Sequence, residues 1–586
     1  MLRLAKRVKT ERFQSYRYLI SAKTMREVHP IKLNDTETQI RDVLVDFCQH
    51  YNSNHTPPLE LRITGGWVRD KLLGNESHDI DIAIDHMTGE DFATQLHSWL
   101  SSHRPELSLK AIHTIKKNPE KSKHLETCTT KLFGCDIDFV NLRSESYGEN
   151  SRVPIIKFGS AEEDALRRDA TLNALFYNLN QDKIEDFTGR GLDDLKQGIL
   201  RTPLSPKQTF LDDPLRVLRL IRFACRFKFE IDAETLEAMS EPEIKEALKS
   251  KISRERVGIE LEKILEGDYP EYGLQLINYL GLAKSIFNAG DQQPLLQQLN
   301  EVQDINKLNS GFDKLGHQIN LATAVYSKYR LLKGSSNLFS SLRDQRLFWL
   351  AVILAPFGDL KLRMNPKKDM KVSGVQILLR EGVKFGNKEN DIVATLVTNH
   401  VNCSKELESY LGEVDQVSDN LNATSLEDVK PMTTSLSRSQ IGFYLRKFGS
   451  NAQLNLELNC FLEILDRLAE CKIETAKPDP NEATRIEPED TVESIIALTI
   501  LRYNRLRETI KKLNLSNVDT LKPIVDGKLM IQIVKGMGPE YSKVKGGQWM
   551  SGFLEDVLKW QLDHPDGTAS EATDWIKQEI PKRNII

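Results

Sequence analysis

The stretch Leu61-Arg-Ile-Thr-Gly-Gly-Trp-Val-Arg-Asp-Lys-Leu-Leu-Gly74 decides the fold, together with Ser77-His-Asp-Ile-Asp-Ile-Ala-Ile84 directly after it. A short apolar run that stops at Gly65 and Gly66 predicts a strand and a tight turn, because glycine adopts backbone angles that other residues rarely reach. The next residues predict a short helix, whose free N–H groups and preceding turn would face a phosphate. A second strand follows.

Two carboxylates in that second strand indicate the chemistry. Asp79 and Asp81 alternate with isoleucines, and period-2 alternation places both carboxylates on one face of a strand. Adjacent carboxylates repel each other unless a cation lies between them, and Mg²⁺ suits such a pair with phosphate oxygens as its other ligands. A pair of ions can clamp both oxygens of a displacement at phosphorus. A bare Asp-x-Asp more often lies on the solvent-exposed face of an edge strand, but the glycine turn upstream favours a metal site.

A further carboxylate is expected from a β-hairpin. Residues 124–133 and 135–143 read as its two strands, with the turn at Gly134. Asp136 and Asp138 share one face, and one of them would complete a two-metal site beside the first pair. Asp138 is preferred because it adjoins the apolar run that follows, and Asp136 remains the alternative.

Length and composition limit the classes of protein. A chain of 586 residues predicts about two to four domains. Its 40% hydrophobic and 28% charged residues are typical of a globular protein. A net charge of −4 excludes a global basic field, so nucleic-acid binding would depend on local patches. Seven cysteines without a Cys-x-x-Cys pair favour reduced thiols and no zinc site. No apolar run is long enough to span a bilayer.

Residues 1–28 have the composition of a mitochondrial presequence. They contain eight lysines and arginines against Glu11 and Glu27. Met25 is a second start that would omit this segment and leave the protein in the cytoplasm and nucleus. The alternative is a disordered basic tail that touches RNA.

The middle of the head holds a basic stretch and a polar cluster. Residues 110–123 read as a basic loop, whereas Thr36-x-x-Gln39 predicts the capping box of a helix over 36–51 and residues 91–100 predict another. Residues 163–176 read as an amphipathic helix that carries Arg167, Arg168, Asp169 and Asn173. Asp169 and Asn173 are four apart, so they would act on one ligand. Arginines here would bind triphosphate and Asp169 a ribose hydroxyl, or the cluster is a surface salt-bridge face.

Residues 211–226 give a strong helix signal, with an aspartate at the cap and Pro214 at the first helical position. Asp213 and Arg216 would then share one face. Cytosine and adenine each present an amino donor beside an acceptor, so a carboxylate and a guanidinium together select them, while uracil and guanine present the opposite order. The alternative is a surface ion pair. A following helix would begin at Ser253, with Arg256 and Glu260 facing each other.

Beyond Asp232 the chain loses β character and reads as amphipathic helices over 257–265, 272–282, 319–332, 346–354 and 372–380. Residues 412–438 and 473–490 read as linkers. The predicted class is therefore α+β: an α/β head with a small mixed sheet, followed by an all-α neck, body and tail. The predicted boundaries are 29–200 for the head, 201–285 for the neck, 286–420 for the body and 421–586 for the tail.

Together these motifs resemble the class II CCA-adding enzymes of the DNA polymerase beta superfamily, most of all the fungal members. The resemblance covers about residues 60–265 and rests on Gly65-Gly-x-Val-Arg-Asp70, Asp79-x-Asp81, Arg167-Arg-Asp169, Asp186 with Asp194-Leu195, Asp212-Asp-x-x-Arg216 and Arg254-Glu-Arg256. The chain departs from the family at Arg190, where a second glycine is expected, and at Asp212, where glutamate is common. Asp186, Gly189 and Asp194 match the element at the head–neck hinge.

The resemblance implies a template-independent nucleotidyltransferase that adds CCA to tRNA from CTP and ATP with Mg²⁺, as a monomer. It implies that Asp79 and Asp81 are metal ligands, and the hairpin adds Asp138 to give a predicted catalytic set of Asp79, Asp81 and Asp138. The implied nucleotide-binding residues are Gly65, Gly66, Arg69, Asp70, Arg167, Arg168, Asp169, Asn173, Asp213, Arg216 and Arg219. More weakly, 521–528 and 536–540 resemble the tail turn that holds the tRNA elbow. The alternatives are a poly(A) polymerase with the same head motifs and a non-catalytic RNA-binding protein.

Overall fold

The structure is a computed structural model, and it describes residues 25–77, 79–107, 110–115, 127–146, 155–287, 302–334, 338–363, 371–411, 437–471 and 489–583. The chain divides into two compact units. One comprises Met1–Thr323 and Lys361–Asn390, and the other Ala324–Leu360 and Asp391–Ile586. Both predicted linkers, apart from their ends, lie outside the described residues. The finer division of the helical part into neck, body and tail stays a prediction.

The first unit begins with an α/β head. Its elements are α1 (Asp35–Asn52), β1 (Leu61–Thr64), α2 (Gly66–Leu72), β2 (Ile80–Ile84), α3 (Gly89–His103), β3 (Lys110–Ile115), β4 (Thr127–Leu132), β5 (Cys135–Asn141), β6 (Arg143–Ser146), β7 (Ile155–Phe158), α4 (Ala161–Leu166), β8 (Phe176–Asn178), β9 (Lys183–Glu185) and α5 (Gly191–Gln197). Seven strands form one mixed sheet in the order β3-β4-β5-β2-β1-β8-β9. Strands β2 and β5 run parallel, and the other neighbours in this sheet are antiparallel.

Helices α1 and α3 cover one face of this sheet. Phe47 of α1 packs against Phe92 of α3, with ring centroids 5.3 Å apart, and Phe92 packs against Phe139 of β5 at 4.8 Å. All three rings are buried, and burying each one stabilises the fold by about 2–3 kcal/mol. Because side chains alternate along a strand, the residues between these buried positions project from the opposite face, where the cavity described below lies.

Short helices follow the head in the first unit, together with two short strands. These elements are β10 (Ile199–Leu200), α6 (Pro206–Asp212), α7 (Arg216–Phe227), β11 (Glu230–Ile231), α8 (Ala233–Met239), α9 (Pro242–Lys251), α10 (Arg254–Leu265), α11 (Pro270–Tyr279) and α12 (Ala283–Phe287). Helix α13 (Val302–Lys333) begins in this unit. The hairpin β12 (Lys361–Arg363) and β13 (Lys371–Ser373), helix α15 (Gly374–Ile377) and the π-helical turn Leu378–Gly382 also belong to it.

The second unit is helical. Its elements are the end of α13, α14 (Leu342–Leu354), α16 (Asn387–Leu411, which begins in the first unit), α17 (Arg438–Arg446), α18 (Ala452–Glu470), α19 (Glu489–Lys512), α20 (Gly527–Lys535), α21 (Gln548–Asp563) and α22 (Ala569–Glu579). Near the C-terminus, Met530 of α20, Phe553 of α21 and Ile576 of α22 share one buried cluster. No helix among the described residues has the length and apolar character needed to cross a membrane.

The predicted fold class is confirmed, and several local predictions need correction. The first helix is capped by Asn34 and Glu37 rather than by Thr36 and Gln39. Residues 110–115 form strand β3 instead of a loop, and residues 116–126 lie outside the described residues. Strands recur beyond position 232 as the β12–β13 hairpin, which replaces the start of the helix predicted over 372–380. These strands have three residues each, too short for a periodic signal.

Candidate active site

Two carboxylates face each other on neighbouring strands of the head. Strands β2 and β5 are parallel, and their register pairs Asp81 with Asp138. The flanking Ile80 and Ile82 are buried against the helices, whereas both carboxylates line a cavity on the other side. The hydroxyl of Thr129 donates to Asp138 Oδ1 at 2.6 Å. The alternation read from the sequence therefore brings two acidic side chains of different strands to one wall.

The surroundings of Asp81 disfavour its charged form. Burial raises the pKa of Asp81 to about 6, the charge of Asp138 and that of Asp79 contribute to the rise, and Arg168 opposes it. Within the described part of the chain, Asp81 accepts no hydrogen bond. A cation placed between Asp81 and Asp138 would stabilise the charged form of both carboxylates.

The remaining two predicted carboxylates are placed differently. Asp79 is exposed one residue before β2 begins, and it is not among the described residues that line the cavity. Its neighbour His78 lies outside the described residues. Asp136 is also exposed and forms an ion pair with Lys131 at 3.0 Å. The geometry thus favours Asp138 over Asp136 as the carboxylate beside Asp81, and the metal-binding role of Asp79 stays a prediction.

The glycine turn between β1 and α2 forms another part of the cavity wall. Gly65 has a φ of +76°, which side chains other than glycine rarely adopt, and it precedes the first turn of α2. A Cβ atom on Gly65 would lie 3.3 Å from Arg168 Nη1. Gly65 and Gly66 both line the cavity. The turn therefore leaves space for a ligand next to an arginine.

Arg69 and Asp70 connect α2 to the rest of the site. Arg69 is buried, donates from Nε to Asp70 Oδ1 at 2.8 Å and donates from Nη1 to Asn173 Oδ1 at 2.6 Å. Asp70 also accepts from Arg226 of α7 at 3.4 Å. Arg69 and Asn173 line the cavity, whereas Asp70 is not among the described residues that line it. Asp70 therefore acts on the site through the two arginines.

The two predicted triphosphate-binding arginines are held by one carboxylate. Asp164 is buried in α4, a helix that begins with the capping box of Ser160 and Glu163. Its Oδ1 accepts from Arg167 Nε at 3.0 Å, and its Oδ2 accepts from Arg168 Nη2 at 2.7 Å. Burial alone would raise the pKa of Asp164, but the two arginines lower it below the usual range. Both guanidinium groups are therefore fixed at the cavity wall.

The helix predicted over residues 163–176 is wrong beyond Leu166. Helix α4 ends there, a single 3₁₀ turn covers Thr171–Asn173, and strand β8 begins at Phe176. The chain leaves the helix because the Thr171 N–H donates to Arg201 O at 2.9 Å and because β8 must pair with β1. Asn173 Nδ2 nevertheless donates to Asp169 Oδ1 at 2.9 Å. The two side chains meet as predicted, although not on a helix.

Asp169 joins this segment to α7. Arg219 donates from Nε to Asp169 Oδ2 at 2.6 Å. Burial would raise the pKa of Asp169, but the charge of Arg219 and the hydrogen bond from Asn173 hold it far below its usual range. The carboxylate is therefore charged and correctly oriented to accept a further hydrogen bond from a ligand in the cavity.

Helix α7 presents a row of arginines to the cavity. Arg216, Arg219, Arg222 and Arg226 recur every three or four residues, which places them on one helix face, and all four line the cavity. The predicted start of this helix is wrong. Helix α6 ends at Asp212, Asp213 is extended, and α7 begins at Arg216 after the Pro214 turn. Pro214 breaks the helix because proline cannot donate a backbone hydrogen bond.

Asp213 and Arg216 both line the cavity; the Arg216 N–H donates to Asp213 O at 3.0 Å, but their side chains bond other partners. Asp213 accepts from the Leu215 N–H at 3.2 Å and from Arg256 Nη2 at 3.1 Å. Arg216 donates to Thr209 O at 3.4 Å, and its Nη2 lies 4.0 Å from Glu145. The surface ion pair that was the alternative for these two residues is therefore absent from this described region.

The predicted contact between Arg256 and Glu260 is wrong as well. Both residues lie on α10, but Arg256 bonds Asp213, and Glu260 accepts from Arg222 of α7 at 2.7 Å. Arg254, at the start of the same helix, donates to the carbonyl oxygens of Gly382 and Ser285 at 2.6 and 3.0 Å. Helix α10 thus forms one charged pair with α7 and one with Asp213, in the extended segment before α7, rather than a pair along its own length.

The cavity that these walls enclose has a volume of about 640 Å³. Nine arginines line it against six aspartates and glutamates, which gives an excess of three positive charges. A space of this size and charge suits a nucleoside triphosphate. It contains every predicted nucleotide-binding residue except Asp70: Gly65, Gly66, Arg69, Arg167, Arg168, Asp169, Asn173, Asp213, Arg216 and Arg219.

Sequence reasoning did not assign several cavity residues: Asn141, Arg143, Glu145, Asp164, Arg222, Phe223, Arg226 and Arg256. Helical spacing was a sufficient signal for Arg222 and Arg226, which lie three and seven positions after Arg219. The three-residue spacing from Asp164 to Arg167 was a signal too. Glu145, which lies 2.7 Å from Arg143 and 3.2 Å from Arg167, had none, because strand pairing brings it to the site.

The element around Arg190 is well ordered by its own hydrogen bonds. Asp186 accepts from the hydroxyl of Thr188 at 2.7 Å and from the Leu192 N–H at 3.1 Å. Gly189 has a φ of +64°, whereas Arg190 has a negative φ that any residue adopts. Arginine at position 190 is therefore tolerated without backbone strain. Its position at a hinge stays a prediction.

The chain is similar to known proteins over most of its length. The family model described as "Poly A polymerase head domain" matches residues 61–201, and the one described as "Probable RNA and SrmB- binding site of polymerase A" matches residues 228–293. The mitochondrial CCA tRNA nucleotidyltransferase of Candida glabrata is 43% identical, with 94% of this chain and 97% of the relative covered. The mitochondrial enzyme of that name from Saccharomyces cerevisiae is 41% identical, with 94% of each chain covered.

A solved structure shares the fold. The Bacillus stearothermophilus CCA-adding enzyme in complex with CTP matches with a TM-score of 0.56 and 17% identity, over 94% of this chain and 99% of that one. At this identity the likeness concerns the fold alone, whereas the two yeast relatives are similar in sequence from end to end. The chain belongs to the CCA tRNA nucleotidyltransferase family.

Proposed function

We propose that this chain completes the 3′ end of tRNA by adding C, C and A from CTP and ATP, without a nucleic-acid template. The tRNA 3′-hydroxyl attacks the α-phosphate, the bond between the α- and β-phosphates breaks, and pyrophosphate leaves. One observation carries the proposal: a single cavity joins a strand-borne carboxylate pair, an arginine-rich wall and a side-chain pair suited to a base edge. Family membership supports the same activity.

Divalent ions, and Mg²⁺ in particular, would be held by Asp81, Asp138 and Asp79. The fit rests on Asp81, which is half-buried, is paired in strand register with Asp138 and accepts no hydrogen bond within the described chain. Among the described residues no three His, Cys, Asp or Glu side chains converge into a metal cage, so phosphate oxygens would supply the remaining ligands. When bound, Mg²⁺ neutralises charge at the α-phosphate and makes the 3′-hydroxyl a better nucleophile.

The triphosphate would lie against Arg167 and Arg168, with the glycine turn on its other side. Asp164 holds both guanidinium groups in place before any nucleotide arrives. Prepositioned cations stabilise the charge that develops on the phosphates without a cost of reorganisation. Asp169 would accept a hydrogen bond from a ribose hydroxyl, because Arg219 and Asn173 keep its carboxylate charged and oriented.

Asp213 and Arg216 would select the base. Each oxygen of Asp213 already accepts one hydrogen bond, from Leu215 or Arg256, and keeps a further lone pair for the amino group of cytosine or adenine. Arg216 would donate to the ring nitrogen or carbonyl beside it. Uracil and guanine would place a carbonyl oxygen against the carboxylate of Asp213 and would be rejected. Both side chains line the cavity, and each bonds other partners in this described region.

The tRNA would be bound in part by the helical domains, with the predicted neck, body and tail boundaries. We further propose that the protein is a monomer and acts in mitochondria, with a form started at Met25 in the cytoplasm and nucleus. The names of the two yeast relatives support the mitochondrial location. The basic composition of residues 1–28 supports it independently.

A poly(A) polymerase is the second candidate, because the matching head model carries that description. One assay separates the two. The purified chain is incubated with Mg²⁺, each nucleoside triphosphate singly or CTP with ATP, and either tRNA lacking CCA or an unstructured RNA. Two cytidines from CTP alone, and a terminal adenosine once ATP is added, support CCA addition. Long adenosine tails on both RNAs identify a poly(A) polymerase, and binding without incorporation identifies an RNA-binding protein.

A further inference from the structure

The N-terminal strap, residues 26–29, contacts the back of the site. The backbone N–H of Arg26 donates to Lys196 O, near the end of α5, at 2.8 Å. The Arg26 guanidinium donates from Nη2 to Phe227 O at 3.0 Å and to Lys228 O at 3.5 Å. It also lies over the ring of Phe229, 5.3 Å from its centroid. One residue therefore connects α5 with the C-terminus of α7.

The C-terminus of α7 is where a cation has most effect. Lys228 ends this helix with a left-handed φ of +54°, and the last carbonyl oxygens of a helix have no partner within it. A guanidinium there satisfies two of these oxygens and opposes the negative end of the helix dipole. Helix α7 carries the arginine row that lines the cavity, so its axial position decides where these arginines lie.

A second contact connects the strap to α2. The His29 N–H donates to Leu72 O, at the end of α2, at 2.9 Å, and the His29 ring lies against Gly74. Helix α2 carries Asp70, which accepts from Arg226 of α7. The strap thus joins the ends of α2 and α7 on one side, while the pair between Arg226 and Asp70 joins them near the cavity.

We propose that Arg26 is a positioning residue that sets α7 for nucleotide binding, so that the functional polypeptide begins no later than Arg26. The basic, presequence-like composition continues to position 28, past this anchor. A chain started at Met25 keeps Arg26 and with it every strap contact described here. A chain that begins at Glu27 loses the contacts of Arg26 and keeps only those of His29. The proposal rests on CCA addition being the activity of the cavity.

The expected effect is on nucleotide affinity. The carboxylates on β2 and β5 are not contacted by the strap, so the chemical step should change little. The α7 arginines should bind nucleotide less well when the helix end is released. Removing the guanidinium should raise the KM for CTP and ATP about threefold to tenfold, with kcat within about twofold.

The test compares five chains in steady-state CTP addition to tRNA lacking CCA: full length, started at Met25, and the Met25 chain with Arg26→Ala, Arg26→Lys or Glu27→Ala. Glu27 is a matched control, because its side chain belongs to the same strap but is exposed. Its contact with His29 is long, with 3.9 Å between Glu27 Oε1 and His29 Nδ1. The same substitutions in the full-length chain serve if the shorter chain does not fold.

The proposal expects equal KM for the full-length and Met25 chains and for Glu27→Ala, a raised KM for Arg26→Ala and an intermediate value for Arg26→Lys. An unchanged KM in Arg26→Ala would overturn it. So would a lower kcat at constant KM, since that pattern reports a smaller folded fraction. Absence of CCA addition by the full-length chain would instead refute the proposed function, which keeps the two failures distinct.

Discussion

Both compact units bury arginines and carboxylates, but they use them differently. In the first unit these charges line a cavity of about 640 Å³. In the second unit Glu457 of α18 is enclosed by its partners, because it accepts from Arg507 at 2.6 Å and from Tyr329 and lies 3.0 Å from Lys333. Tyr329 in turn packs against Phe461, with ring centroids 5.0 Å apart.

The contrast separates stability from function. Each oxygen of Glu457 has a donor from the protein itself. These partners compensate the charge of the carboxylate, so Glu457 is not a binding group for a ligand. Asp81 is half-buried beside Asp138 without a donor in the described chain, and the arginines outnumber the acids around it. A buried charge that its own protein does not satisfy is the better indicator of a binding site.

The largest effect is expected from Asp81→Asn. Nucleotide transfer should fall by about a thousandfold or more, because the amide cannot hold a cation where charge develops. The melting temperature should stay the same or rise, since the substitution removes repulsion from Asp138. Asp136→Asn is the matched control, because Asp136 is on the same strand as Asp138 but is paired with Lys131. Equal losses in both variants would contradict the assignment.

Glu457→Gln should have the opposite profile. Breaking a buried ion pair leaves Lys333 and Arg507 without their counter-charge, so the free energy of unfolding in urea should fall by about 3 kcal/mol. The KM for CTP of the folded protein should not change. The control is Glu508→Gln, which loses only an exposed pair with Lys511 and should cost less than about 0.5 kcal/mol. An altered KM in Glu457→Gln would argue against a purely stabilising cluster.

Asp164→Asn lies between these extremes, because Asp164 is buried and fully paired but holds residues of the cavity. Without its charge, Arg167 and Arg168 lose their common anchor, and the KM for CTP should rise about tenfold as one or two charge-assisted hydrogen bonds are weakened. Steady-state kinetics measures the change. Glu162→Gln on the same helix, whose side chain is exposed, should leave KM unaltered. If stability falls while KM stays constant, Asp164 has a purely stabilising role, like that of Glu457.

The smallest effect concerns pH and the second unit. Burial lowers the pKa of His400, but its hydrogen bonds to Asp466 and Asn459, with the charge of Glu463 nearby, raise it overall above 6.5. A raised native pKa stabilises the fold fully below the unfolded-state value, and this contribution is lost as pH rises through the native value. The difference in the free energy of unfolding between wild type and His400→Asn should therefore become smaller above neutral pH. This decrease should be under about 1 kcal/mol. A difference that grows with pH would contradict this assignment.

The sequence allowed much of the head to be predicted, because its signals are local. The glycine turn and the hairpin turn at Gly134 each depend on neighbouring residues, and the structure contains both. Of the two alternating aspartates, Asp81 lies on β2, whereas Asp79 precedes the strand. The spacing between Asp169 and Asn173 correctly predicted contact, although the assumed helix ends before them. A short-range pattern can thus predict a contact between two side chains correctly and the secondary structure that carries them wrongly.

What the sequence could not provide is the partner of each charge. Arg256 bonds Asp213, which precedes it by 43 residues, and Arg219 bonds Asp169 from 50 residues away. Such pairs arise when segments that are distant in the chain pack together, which no local period encodes. Glu145 reaches Arg167 in the same way, through the position of a strand. The predicted contact between Arg256 and Glu260 failed because it assumed that neighbours in sequence prefer each other, and the surface ion pair considered as the alternative for Asp213 and Arg216 is absent from the described residues for the same reason.

A crystal structure of the protein with CTP and Mg²⁺, without tRNA, tests the central claim most directly. The account predicts the triphosphate against Arg167 and Arg168, a metal at Asp81 and the cytosine amino group at Asp213. A nucleotide bound outside this cavity, or a base edge turned away from Asp213 and Arg216, would contradict it.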